Sequence, residues 1–136
     1  MSRMIFVNLP VSDLARAVEF WTGLGTTFDP RLTDEDAACL VLSDSAYVML
    51  LTERFFGTFT DKPVADTRTH AEAILALSAV DREEVDRLVD HALVSGGAPA
   101  GGTQDEGFVY TRSFEDPDGH LWEVLFLDPT ALEEQV

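Results

Sequence analysis

The sequence predicts an α+β fold made of two similar modules in tandem, because a strand, a helix and further strands occur twice in the same order. In the first module, apolar residues recur at helical spacing after the capping residues Ser12 and Asp13. In the second module, Asp81 and Glu84 form a capping box before another amphipathic pattern. The two helix starts lie about seventy residues apart, which favours an internal duplication.

The remaining elements follow from apolar runs and from the residues that interrupt them. Such runs predict strands at residues 5–9, 37–42, 46–52, 73–80, 108–114 and 120–127. Gly25 fits the end of the first helix, and Gly96 and Gly97 fit the end of the second. The whole chain, residues 1–136, therefore predicts a single domain. Its parts are module one at residues 1–53, a connecting segment at 54–72, module two at 73–128 and a C-terminal tail at 129–136.

The connecting segment is polar but contains Phe55, Phe56 and Phe59. Three phenylalanines in a loop favour burial, and packing on the domain's own core is the simplest interpretation. The alternative is that they cover a ligand or join a subunit interface.

The formal net charge of −16 argues against nucleic acid and anionic membranes as partners, since both require clustered lysine and arginine. Such a surface favours a cationic small molecule, or the acidity only keeps the protein soluble. Cys39 is the only cysteine, which excludes an internal disulfide and predicts a cytoplasmic protein. We expect no signal peptide and no membrane span, because neither a basic region with an apolar run nor a long apolar segment is present.

The stretch DPDG is a turn signal next to a strand that carries one carboxylate, Glu123. Pro117 pre-sets the second turn position, and Gly119 supplies the left-handed position. A three-residue loop with a glycine bulge places Glu123 opposite Ser113; a four-residue loop would place it opposite Arg112 instead. In the first register, Tyr110 and Arg112 lie on the other face, where we expect them to dock a helix.

The order of elements, the helices in VSDLARAVEFWTGLG and ALSAVDREEVDRLVDHALVSGG, and DPDG-x-x-x-E resemble the vicinal oxygen chelate superfamily. That group includes glyoxalase (lactoylglutathione lyase), extradiol dioxygenases and bleomycin-resistance proteins. The resemblance implies the glyoxalase/bleomycin-resistance fold, in which each module curls a mixed sheet around a cup. It also implies a homodimer in which cups from two subunits complete each site.

Metal-dependent members of this superfamily place four ligands in the cup. By resemblance these positions fall on Phe6, Leu50, Ile74 and Glu123, so three of the four are hydrocarbon here. Zinc or nickel requires several nitrogen, oxygen or sulfur donors at bonding distance. We therefore expect no metal and no other cofactor, which argues against metal-dependent glyoxalase chemistry.

With hydrocarbon at three of the four ligand positions, the resemblance implies an apolar cup with a few polar groups, which is typical of a small-molecule site. Its predicted ligand-binding residues are Phe6, Asn8, Leu50, Thr52, Ile74, Thr111, Ser113, Leu121, Glu123 and Leu125. Ser78 shares the inferred inward face. Three interpretations of Glu123 are open. It is a leftover carboxylate whose hydrogen bonds are satisfied by neighbouring groups, or it holds the cation of a ligand. In the third, it has a raised pKa and acts as a catalytic general base.

These interpretations give three hypotheses for function. The first is a module that binds a small aromatic or amphiphilic molecule without a catalytic metal, as bleomycin-resistance relatives do. The second is a lactoylglutathione lyase-like enzyme, which needs a metal. The third is a metal-independent lyase or isomerase, or a dioxygenase-type enzyme, that uses Glu123.

Overall fold

A computed structural model describes residues 3–133 of the chain. These residues form two compact units that divide between Asp66 and Thr67. We call them the N-terminal unit and the C-terminal unit and describe each by itself. The division falls inside the connecting segment predicted at residues 54–72.

The N-terminal unit is a four-stranded mixed sheet with a helix on one face. Its strands are β1 (Ile5–Val11), β2 (Thr27–Asp29), β3 (Ala37–Val41) and β4 (Ala46–Thr52), in the order β1-β4-β3-β2. Its helices are α1 (Leu14–Gly23) and the short α2 (Glu53–Phe56), and a 3₁₀ turn covers Pro30–Leu32. Only β1 and β4 run parallel; the other neighbours are antiparallel.

Helix α1 begins where the sequence predicts, because the Asp13 carboxylate accepts a hydrogen bond from the Arg16 backbone N–H at 3.1 Å. It buries Ala17, Phe20 and Trp21 against strands β3 and β4. Gly25 follows at φ +89°, the left-handed conformation that commonly ends a helix. The helix-facing side of the sheet is the core of the N-terminal unit.

The C-terminal unit repeats this plan. Its strands are β5 (Ile74–Ser78), β6 (Ala98–Pro99), β7 (Gln104–Asp105), β8 (Val109–Glu115) and β9 (Leu121–Leu127). Their order is β5-β9-β8-β6, with β7 also pairing with β8. Helix α3 (Arg82–Val94) packs on β8 and β9, and α4 (Pro129–Glu133) follows the sheet.

Helix α3 is held on the sheet by a buried apolar strip and by polar bridges. Tyr110 donates from its hydroxyl to Asp86 at 2.6 Å, and Arg112 donates to Asp86 at 3.0 Å and to Asp90 at 2.9 Å. The pKa of Asp86 is lowered, chiefly by the Tyr110 hydrogen bond and then by Arg112. The expectation that Tyr110 and Arg112 dock a helix is confirmed.

The α+β class and the duplicated strand–helix–strands plan are confirmed: in both units the first strand pairs in parallel with the last long one. Two local differences stand out. Strand β1 continues through Pro10, which an edge strand tolerates. Residues 129–133 of the expected tail form α4, and residues 134–136 lie outside the described part.

None of the helices in the described part of the chain has the length and apolar character needed to cross a membrane.

Candidate functional site

The β8–β9 hairpin has the first of the two registers that the sequence left open. Ser113 pairs with Glu123, and Thr111 pairs with Leu125. Because side chains alternate along a strand, these four residues lie on the sheet face away from α3. The parallel pairing of β5 with β9 adds Ile74, opposite Leu121, to the same face.

Asp116 at the DPDG turn fixes this register. Its side chain is 5% exposed and accepts hydrogen bonds from the backbone N–H of Asp118 (2.9 Å), from that of His120 (3.0 Å) and from Trp122 Nε1 (2.9 Å). Gly119 adopts φ +84°, as expected for the turn. A carboxylate that satisfies three donors ties the turn to the core, and strand β9 therefore presents Glu123 in one place.

The pKa of Asp116 is raised above its ordinary value. Burial is the main cause, and it outweighs the opposing effects of His120 and of the hydrogen bonds from Trp122 and the turn backbone. The group serves the turn, since its contacts are with the hairpin itself.

A cavity of about 220 Å³ opens on the face that carries Glu123. Five of the predicted site residues line it: Ile74, Thr111, Ser113, Leu121 and Glu123. Five further lining residues were not predicted: Ala100, Gly101, Gly102, Gln104 and Trp122. Leu125 lies on this face, and no contact places it at the cavity wall.

The unpredicted part of the wall comes mainly from the chain between β6 and β7. Gly101 adopts φ +110°, and a side chain at Gly101 or Gly102 would meet no atom within 4 Å. The glycine pair in APAGGTQ was the signal in the sequence, since adjacent glycines mark a loop where backbone can approach a ligand closely. Gln104 joins the wall because β7 pairs it with Thr111.

Among the residues that the structure describes, Glu123 is the one acidic side chain that lines this cavity. It is half-buried, and among residues 3–133 its carboxylate has no hydrogen-bond or ion-pair partner. Its neighbours at the wall are the hydrocarbon of Ile74 and Leu121 and the hydroxyl of Ser113. A carboxylate without a partner beside apolar walls favours a positively charged or hydrogen-donating ligand group.

In the N-terminal unit, the predicted site residues divide between the two faces of the sheet. Phe6 and Asn8 lie on the face away from α1, where Phe6 is 41% exposed and stacks on Tyr47 with ring centroids 4.8 Å apart. Asn8 lines a second cavity of about 360 Å³ with Phe56, Phe59 and Thr60.

Leu50 and Thr52 lie on the opposite face, and their assignment to the cup is wrong. The register pairs Leu50 with Leu9 and Thr52 with Val11, on the side packed against α1, and Leu50 is fully buried there. Thr52 instead caps α2, accepting from the Phe55 backbone N–H at 3.2 Å. The resemblance placed the family's ligand position on Leu50 in VMLLT. Alternate residues of a strand face opposite sides of the sheet, and Leu50 is on the side that faces α1.

The side chains present do not fit a divalent metal. Phe6 and Ile74 offer no donor atom. The strand β4 residues on the Phe6 face are Tyr47, Met49 and Leu51, and the Tyr47 hydroxyl already donates to the Asp44 backbone carbonyl. Throughout residues 3–133, no three histidine, cysteine, aspartate or glutamate side chains are grouped so that they could hold a metal ion. Glu123 alone cannot supply the coordination that zinc or nickel requires.

The fold is similar to that of several solved proteins. The hypothetical protein SA1046 from S. aureus shares 24% identity over 93% of this chain and 94% of that one, with a TM-score of 0.78. A glyoxalase/bleomycin resistance protein/dioxygenase family enzyme from Burkholderia phytofirmans PsJN shares 14% identity over 93% and 99%, with a TM-score of 0.76. The fosfomycin resistance protein FosX from Mesorhizobium loti shares 12% over 98% of each chain, with a TM-score of 0.68. These likenesses establish the fold alone.

No curated protein sequence matches the chain significantly. The model of the glyoxalase/bleomycin resistance protein/dioxygenase superfamily matches residues 3–124, which is most of the chain. That match includes both amphipathic helices and the DPDG turn with Glu123. The protein therefore belongs to the glyoxalase/bleomycin resistance protein/dioxygenase superfamily.

Proposed function

We propose that the protein is a small-molecule-binding member of its superfamily, and that the C-terminal cavity binds the cationic group of an amphiphilic ligand. The observation that carries this proposal is Glu123, a half-buried residue whose carboxylate has no partner among residues 3–133. A ligand ammonium or amidinium would supply the missing charge and hydrogen bonds.

The size of the cavity supports a head group rather than a whole ligand. Its volume of about 220 Å³ is below the roughly 300–1,000 Å³ typical of sites that enclose a drug-sized molecule. Ile74 is 59% exposed, so an apolar body could extend from the cavity over hydrocarbon. The hydroxyls of Thr111 and Ser113 are available as further hydrogen-bonding groups.

The net charge of the chain and the residues at the family's metal-ligand positions favour ligand binding over metal-dependent isomerisation as the function. The chain carries a formal charge of −16, which raises the local concentration of organic cations. A lactoylglutathione lyase-like reaction would need a metal that the residues at the family's ligand positions do not fit. We therefore make binding the proposed function.

Titration with benzylamine and with benzyl alcohol tests the proposal, because the two differ mainly in charge. We expect saturable benzylamine binding in calorimetry or nuclear magnetic resonance, with benzyl alcohol at least about tenfold weaker. Glu123→Gln should abolish that preference because the amide carries no charge.

The matched control is Glu19→Gln, which removes one negative charge from α1. It should leave the benzylamine preference intact if the local carboxylate is responsible. Equal binding of both probes by the unmodified protein, or an equal loss of preference in the two variants, would refute the proposal.

We further propose that the protein forms a homodimer. Exposed apolar side chains on the edge strands support this: Met4 and Ile5 at β1 are 54% and 58% exposed, and Ile74 on β5 is 59% exposed. Light scattering coupled to size-exclusion chromatography should give twice the chain mass of 15.0 kDa. A concentration-independent mass of one chain would contradict it.

A further inference from the structure

None of the described residues that line the Glu123 cavity belongs to the phenylalanine-rich segment after β4. We propose that this segment forms, with Asn8, a second binding site in the N-terminal unit. The ligand is a small, neutral, planar aromatic molecule whose edge carries a hydrogen-bond donor next to an acceptor.

The cavity is large enough for such a molecule. It measures about 360 Å³ and is lined by Asn8, Phe56, Phe59 and Thr60. That volume lies within the range of about 300–1,000 Å³ found for small-molecule sites. Two aromatic rings and two neutral polar side chains therefore define what it can accept.

The aromatic part of the wall is held in place although it is exposed. The Phe59 side chain is 68% exposed, yet its ring packs edge-to-face on Phe55, with centroids 5.0 Å apart and planes at 78°. The backbone N–H of Phe59 donates to the Phe56 carbonyl at 3.0 Å. An exposed, oriented phenylalanine ring gains contact and loses unfavourable hydration when another aromatic ring packs against it.

The polar side chains of the wall determine which hydrogen-bonding groups the edge of the ligand must carry. Asn8 is exposed on β1, and within the described residues its side-chain amide has no hydrogen-bond partner. A carboxamide offers an N–H donor beside a carbonyl acceptor, which matches a lactam edge in reverse. The Thr60 hydroxyl oxygen accepts from the Lys62 backbone N–H at 3.1 Å, so its proton can be donated to a ligand.

The absence of charge from the lining distinguishes this site from the Glu123 cavity. None of Asn8, Phe56, Phe59 and Thr60 is ionisable. Burying an organic cation here would leave its charge without a counter-charge, which is unfavourable. The site therefore prefers a neutral ligand and does not depend on the function proposed for Glu123.

Titration of the full, ¹⁵N-labelled chain with 2-quinolone tests the inference. This probe is planar and neutral and carries a lactam N–H beside a carbonyl. We expect saturable shifts at the Asn8 side-chain amide and at the backbone amides of residues 56–60. Quinoline, which has an acceptor and no donor, should bind about tenfold more weakly.

Two variants separate the ring contacts from the edge contacts. Phe59→Leu keeps an apolar side chain without the ring and should weaken 2-quinolone binding about tenfold. Asn8→Ala should remove the preference for 2-quinolone over quinoline. Both positions are exposed, so the variants should fold, and Leu32→Ala, at another exposed apolar residue of this unit, is the matched control.

Absence of saturable shifts at Asn8 and residues 56–60 would overturn the inference. So would shifts there that neither Phe59→Leu nor Asn8→Ala changes, or that Leu32→Ala weakens as much. Glu123→Gln should leave 2-quinolone binding unchanged, whereas it removes the benzylamine preference. Each proposal can therefore fail without the other.

Discussion

The two units have the same strand plan but present different chemistry on the sheet face that their helix leaves uncovered. In the C-terminal unit that face has a cavity with the carboxylate of Glu123 and two hydroxyl groups. In the N-terminal unit the corresponding face carries a carboxamide at Asn8 and phenylalanines from the following segment. The two units thus share a scaffold but differ in the charge of the side chains on this face, and we expect that difference to select the ligand of each proposed site.

The turns between the last two strands differ as well. The β8–β9 turn is organised by Asp116, which is almost fully buried and accepts three hydrogen bonds. The β3–β4 turn contains Asp44, which is exposed and whose backbone carbonyl accepts a hydrogen bond from Tyr47. The β8–β9 turn therefore has a buried side-chain anchor, which the exposed Asp44 does not provide in the β3–β4 turn.

The largest expected effect concerns the division of faces in the N-terminal unit. Leu50→Ala should lower the free energy of unfolding by about 2–5 kcal/mol, because it opens a cavity in a fully buried cluster. Phe6→Ala, at a side chain that is 41% exposed, should cost less than about half of that. Urea denaturation measures both, and equal losses would contradict the assignment of Leu50 and Phe6 to opposite faces.

The next effect tests the contrast between the turns. Asp116→Ala removes an acceptor from the buried Trp122 indole N–H and from two backbone donors, so we expect a loss of about 1–3 kcal/mol. Asp44→Ala should change stability by less than about 0.5 kcal/mol, as is usual at exposed positions. Thermal or urea denaturation of the two variants measures the change in the free energy of unfolding. Similar losses of stability in both would show that Asp116 does not organise the turn.

These contrasts show what the sequence could predict. The turn chemistry of DPDG is local and narrowed the hairpin to two registers, of which the three-residue loop with a glycine bulge is the one that pairs Glu123 with Ser113, as observed. The class, both long helices and most long strands followed from periodicity. The assignment of Leu50 failed because a shift of one residue exchanges the faces of a strand, and VMLLT is apolar at both parities.

The cavity walls were the hardest part to predict. Gln104 and the glycine pair Gly101 and Gly102 reach the Glu123 cavity through the very short strands β6 and β7, whose pairing depends on tertiary contacts rather than on local pattern. The 360 Å³ cavity likewise depends on α2, a helix of four residues that is too short to show periodicity.

A smaller effect is expected at the cap of α2, which is a threonine hydroxyl, whereas α4 after β9 is capped by the carboxylate of Asp128. Thr52→Ala removes the acceptor for the Phe55 backbone N–H and should cost about 1 kcal/mol. Because α2 carries Phe55 and Phe56, the same change should also weaken 2-quinolone binding while the benzylamine preference is unchanged. Thr52→Ser keeps the hydroxyl and is the matched control; if Ser and Ala behave alike, the cap does not support the N-terminal site.

The smallest effect concerns the pH dependence of stability in the C-terminal unit. The pKa of Asp86 is lowered in the folded protein, chiefly because Tyr110 donates a hydrogen bond to its ionised form. A carboxyl group with a depressed pKa stabilises the fold above its unfolded pKa, and this contribution disappears as the pH falls through the folded pKa. Tyr110→Phe should therefore reduce stability at pH 7 by less than about 1 kcal/mol, since Asp86 is 47% exposed and screened by solvent.

The difference in stability between Tyr110→Phe and the unmodified protein should shrink as the pH is lowered below about 4. Asp86 is then protonated first in the unfolded chain and, as the pH falls through the lowered pKa, in the folded protein. Urea denaturation at a series of pH values gives this difference directly. Tyr47→Phe is the matched control in the N-terminal unit: the Tyr47 hydroxyl donates to the backbone carbonyl of Asp44, which does not titrate. The stability lost in Tyr47→Phe should therefore be the same at acid and at neutral pH. If the stability losses of the two variants changed in parallel with pH, the Tyr110–Asp86 contact would not be the cause of the pH dependence.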